Sequence, residues 1–124
     1  MDTNKLLLDF KDFRISLEEL RAAFGVTRFL NVKMDAPVIF TTTDAASAIK
    51  RYRSGEITVQ TLVNWVNTLW FNEGIYDFAD EQSESLASVM DLLEELDEDG
   101  VFYTDDEYDR MIAALESNTE FTRD

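Results

Sequence analysis

The chain has 124 residues, 45% of them hydrophobic with nine Phe, four Tyr and two Trp, and 26 Asp/Glu against 11 Lys/Arg give it a net charge of −15. That length and apolar content fit one folded domain and exclude global disorder, while the lack of Cys and His removes disulfides, thiolate chemistry and the usual general base. The chain shows no basic start followed by an apolar core and no apolar run near the ~18 residues of a membrane span, so a soluble cytoplasmic protein is expected.

The charge is lopsided. Residues 1–53 hold 7 Asp/Glu against 9 Lys/Arg and residues 54–124 hold 19 against 2, which places the halves at +2 and −17. An acidic surface promotes solubility by itself, and a dense negative field also invites a positively charged partner.

In chain order, Asp2 or Thr3 caps a first helix over Asn4 to Phe13, with Leu6, Phe10 and Phe13 at helical spacing. Ser16-Leu-Glu-Glu19 has the form of a capping box, opening a helix from Leu17 to Phe24 that Gly25 ends, so residues 1–25 form a helical hairpin. Between Val26 and Thr43 the helical period is lost. Leu30, Val32 and Met34 alternate with polar residues, Asp35-Ala-Pro37 reads as a turn and Val38 to Thr43 is β-prone, which points to a small β-hairpin or a long ordered loop.

Asp44 caps a helix over Ala45 to Arg53 that carries Lys50, Arg51 and Arg53. This patch is too narrow for nucleic acid and lies ahead of a strongly acidic half, so its cations are expected to pair with the protein's own acidic face. Thr58 opens the most hydrophobic helix, Val59 to Phe71, with Leu62, Val63, Val66, Leu69 and Trp70 covering most of its circumference. Its aromatics could form a ligand platform, but rings at helical spacing normally pack a core. Ile75 to Phe78 is a short apolar connection.

Asp80 or Ser83 starts a further helix to about Leu96, and Thr104-Asp-Asp-Glu107 is a second capping box opening a last helix with Tyr108, Met111, Ile112 and Leu115 in one stripe. The two stripes are expected to pack antiparallel. Residues 118–124 are polar and read as a frayed tail, outside a helical core over 44–117. The expected fold is mainly α, a compact bundle of about five to six short helices with a small β-hairpin around residues 29–43.

The chemistry concentrates between Asp91 and Asp109, where ten of nineteen residues are acidic and none is basic. With Gly100 at position 6 of an EF-hand loop, Glu95, Asp97, Asp99 and Asp106 fall on the Ca²⁺ ligand positions. Yet Asp is usual at the first position and a bidentate Glu at the twelfth, and here the two are exchanged. Catalysis lacks its groups: there is no nucleophile elbow and no glycine-rich phosphate loop, so neither enzyme activity nor a cofactor is expected.

Binding by charge and shape remains. Glu94, Glu95, Asp97, Glu98, Asp99, Asp105, Asp106 and Asp109 are the candidate contacts to Arg and Lys of a partner, with Phe102 and Tyr103 as anchors.

The segment Tyr52-Arg-Ser-Gly-Glu-Ile-Thr-Val-Gln-Thr-Leu-Val-Asn-Trp-Val-Asn67 carries a Tyr-x-x-Gly-x-Ile then Leu-x-x-Trp pattern that looks like those of small bacterial helical domains. In size, charge and helical make-up the chain resembles the small acidic immunity proteins that bacteria carry against secreted nuclease toxins, and the acidic phage inhibitors that mimic DNA. The resemblance implies a non-enzymatic inhibitor whose partner is a basic, nucleic-acid-handling protein, most concretely a toxin nuclease, with no direct contact to nucleic acid or membrane.

Overall fold

The computed structural model describes residues 2–123. Among them are six helices, α1 (Thr3–Lys11), α2 (Leu17–Phe24), α3 (Thr42–Arg53), α4 (Val59–Trp70), α5 (Ser83–Leu93) and α6 (Asp105–Glu116), with two three-residue strands, β1 (Val38–Phe40) and β2 (Tyr76–Phe78). The mainly helical class expected from the sequence is what forms.

Local chemistry starts most of these helices. Ser16 and Glu19 close a capping box on α2, Thr104 and Glu107 close one on α6, and Gly25 at φ 68° stops α2 in the left-handed conformation that a Cβ disfavours. On α3 the cap differs from expectation. Thr41 is the N-cap and Asp44 sits three residues in, its carboxylate returning to the Thr41 amide at 2.9 Å, so the helix begins at Thr42. The apolar faces then decide the packing: α6 lies against α3 and α5, α4 against α5, and α1 against α2, α4 and β1. Trp65, Leu62, Leu69, Leu86, Leu93 and Met111 are at most 1% exposed, which makes α4 and α5 the centre of the core.

The hairpin is replaced by a different pairing. Val38–Phe40 is extended as expected, but its neighbour is β2, parallel, with Val38 opposite Tyr76 and Phe40 opposite Phe78, and residues 30–34 form no strand. Parallel strands need a long crossover, and α3 with α4 supplies it. Val38 and Phe40 face inward while Ile39 faces out, so the alternation survives over three residues. Of the stretch from Ile75 to Phe78, Tyr76–Phe78 is therefore a strand and not merely a connection.

The tail is docked. Phe121 is buried, its amide donates to Ser88 Oγ at 2.9 Å, and Asn118 Nδ2 donates to the Glu81 carbonyl at 3.0 Å, so the frayed segment expected after residue 117 is instead held against α5. Burial of the Phe121 ring together with these hydrogen bonds opposes the entropy cost of ordering a polar stretch.

Candidate functional site

The acidic turn is a product of its own charge. α5 ends at Leu93, three residues earlier than the apolar stripe implies, with no basic residue in its last turn and with Asp91, Glu94 and Glu95 set against the negative end of the helix dipole. From there the backbone tightens into three-residue turns: Glu95 and Leu96 donate to Leu92 and Leu93, and Glu98 donates to Glu95 at 3.0 Å. Leu96 stays buried as a plug beneath this turn, while Glu95, Asp97, Glu98 and Asp99 around it face outward.

Glu95, Asp97, Glu98 and Asp99 are exposed, and neither they nor Glu94 makes an ion pair among the described residues. Burial, followed by the charges of Asp91, Glu95 and Glu98, raises the pKa of Glu94 above the ordinary carboxylate value. Its Oε2 is buried with no donor among the described residues. Asp91 is anchored from the other side, accepting from Trp70 Nε1 at 3.1 Å.

Beyond Gly100, which takes φ 84°, residues 101–104 have no regular structure and two adjacent rings part. Phe102 is 71% exposed and Tyr103 only 7%, so one of the two expected anchors is a core residue. Tyr103 packs edge-on against Tyr108 at 5.9 Å between ring centres and donates to the Leu92 carbonyl at 3.4 Å. Burial raises its phenol pKa, against the lowering influence of Arg123.

The first turns of α6 have a different role. Arg53 reaches Asp109 at 2.5 Å and Asp105 at 3.6 Å, Arg110 lies 4.0 Å from Asp106, and Lys50 pairs with Glu116 at 3.2 Å. Lys50 and Arg53 of the basic patch on α3 thus meet the protein's own acidic helix, Arg51 pairs with Glu56, and the pKa of the Arg53 guanidinium is raised, first through its hydrogen bond to Asp109. Asp105, Asp106 and Asp109 each share their charge with an internal guanidinium, which separates them from the bare carboxylates of residues 94–99.

The Ca²⁺ arrangement does not form. Among the described residues no group of three or more acidic side chains converges as metal ligands, and Asp106 is drawn to Arg110 on α6 and not to Glu95, Asp97 and Asp99. No described helix is long and apolar enough to cross a membrane.

The chain matches no family model, no curated protein and no solved structure.

The residue that sequence reasoning passed over at this site is Arg123. Its Nε donates to Glu107 Oε2 at 2.7 Å, its Nη2 to the Phe102 carbonyl at 3.4 Å, and its guanidinium covers the Tyr103 ring. The available signal was scarcity, since it is one of two cations in a half holding 19 acids.

Proposed function

We propose that the protein is a non-enzymatic acidic inhibitor, an immunity-type protein that covers the basic cleft of a nucleic-acid-handling protein such as a toxin nuclease. The observation that carries this reading is the turn from Glu94 to Asp99, five carboxylates with no counter-ion among the described residues, placed next to the exposed ring of Phe102. A chain selected only to stay dissolved gains nothing from crowding like charges until one of them is pushed up in pKa, whereas a cationic partner relieves the crowding on binding. Phe102 supplies the apolar anchor that a purely charged surface lacks, and Asp105, Asp106 and Asp109 extend the negative rim along α6.

The test is capture from a lysate of the source organism at low salt, followed by assay of the captured protein. Expected is a basic nuclease whose cleavage of nucleic acid stops at stoichiometric inhibitor, with D97K/D99K and F102A each weakening inhibition at least about tenfold. Unchanged inhibition by both variants, or a captured protein that keeps cleaving, would overturn the reading.

A further inference from the structure

A second site lies on the opposite half of the charge distribution. In a chain with 26 acids and 11 bases a cation has every chance of a carboxylate, and among the described residues eight find one within 4.0 Å. Arg21, Arg28 and Lys33 do not, and the two arginines sit together. Both line one cavity of about 420 Å³ between α2, the segment after it and α4, whose walls include no acidic residue.

The rest of the lining is equally specific. Phe29 and Phe71, 74% and 63% exposed, are with Phe102 the most exposed rings among the described residues, and both belong to this cavity. Asn64 and Asn67 present amides from α4, and Asn64 Oδ1 already accepts from Gln60 Nε2 at 2.9 Å, which leaves its NH₂ as a donor. The Nε–H of Arg21 is buried and has no acceptor among the described residues, an arrangement that costs about 1–3 kcal/mol if it stays so. Donors from two guanidinium groups and an amide, with exposed rings beside them and no carboxylate, describe a receptor for negative charge attached to a flat apolar body.

The geometry points to this cavity as a binding site for a small planar anion, its carboxylate or phosphate held by Arg21 and Arg28 and its ring laid on Phe29 and Phe71. Protein-wide repulsion is a weak objection, because charges beyond roughly 8 Å are screened at physiological salt. The site is independent of the acidic turn, so either can fail without the other.

The test titrates the whole protein with naphthoate and adenosine monophosphate, with neutral naphthamide and adenosine as matched controls, while the Arg Nε–H and Asn NH₂ signals are followed by NMR. Expected are saturable shifts at Arg21, Arg28 and Asn64 with at least one anion, binding about tenfold or more tighter than its neutral match, and a similar loss in R28Q. Tighter binding of naphthoate marks a carboxylate ligand and tighter binding of the monophosphate a phosphate one. R28Q alters an exposed side chain, so it reports binding even where R21Q fails to fold. Equal affinity for the neutral probes, shifts confined to other residues, or unchanged binding by R28Q would overturn the assignment.

Discussion

The guanidinium of Arg123 lies 4.7 Å from the centre of the Tyr103 ring, while its Nε–H donates to Glu107 across 2.7 Å. One cation from the tail thereby covers the buried ring, braces the capping residue of α6 and touches the Phe102 carbonyl. Presentation of Phe102 depends on this clamp. Replacing Arg123 by Ala removes a cation–π contact of about 0.5–1 kcal/mol at an exposed site, a fall of roughly 2–4 °C in Tm. Amide exchange at residues 101–104 should quicken with it. The Glu107 carboxylate is held below its ordinary 4.5 by the Thr104 amide first and Arg123 second, so stability from this contact is present above that value and lost as the pH falls through the lowered pKa. The difference between the variant and the parent should therefore shrink in acid. Identical exchange in both proteins would show that the clamp holds nothing.

Glu94 gives the opposite sign. Its folded pKa is raised above 4.5 by burial and by Asp91, Glu95 and Glu98, so the folded state binds this proton more tightly than the unfolded chain does. The resulting penalty is absent below the unfolded pKa and complete above the folded one. Glu94→Gln should raise Tm by a few degrees at pH 7, and the gain should vanish in mild acid. A Tm that does not rise at pH 7, or a gain unchanged in acid, would mean that the crowding at this turn carries no energetic weight.

What could be read from the sequence was whatever is written locally. The capping boxes at Ser16 and Thr104 and the αL glycine at Gly25 involve residues at most three or four apart, and all three form. Partners distant in the chain were not legible. Val38–Phe40 is β-prone on its own, but nothing near it announces Tyr76–Phe78, 38 residues on, as its parallel neighbour. At the candidate site the crowd of acids was visible, whereas its division was not: Asp109 meets an arginine 56 positions earlier in the chain, and only that contact separates it from Asp97 and Asp99. Phe102 and Tyr103 are chemically alike, and which of them turns inward is settled by Arg123 and Tyr108.

Tyr76 fastens β2 to the first helix, its hydroxyl donating to the Leu7 carbonyl at 2.5 Å from a position 1% exposed. Removing that hydroxyl in Tyr76→Phe should cost about 1 kcal/mol at neutral pH. Burial, with Asp12 nearby, raises the pKa of the phenol far above its ordinary 10.0, so the native state loses stability as the pH climbs past that value while the Phe variant is spared this loss. Denaturant midpoints at pH 7 and above pH 10 should therefore converge or cross. A constant offset across that range would contradict the buried phenol.

Lys11 joins the first helix to the third. Its side chain is 10% exposed and its Nζ donates to Asp12 and to Asp44, each at 3.1 Å, while Asp44 also accepts from the Thr41 amide as the return arm of the α3 capping box. Burial disfavours the charge, yet the hydrogen bonds Lys11 donates to Asp44 and then to Asp12 outweigh it and the pKa ends above the ordinary 10.5. The raised value means that this stabilisation is complete below 10.5 and is lost as the pH rises through the folded pKa. Lys11→Met keeps the aliphatic packing but strands two carboxylates, and a loss of about 1.5–3 kcal/mol is expected at pH 7. Asp44→Asn keeps an acceptor for Thr41 and removes the charge. In a double-mutant cycle the two changes should therefore couple by about 1 kcal/mol or more, because the second removes what the first leaves unpaired. Strict additivity would mean that the Lys11–Asp44 contact contributes nothing to holding α1 beside α3.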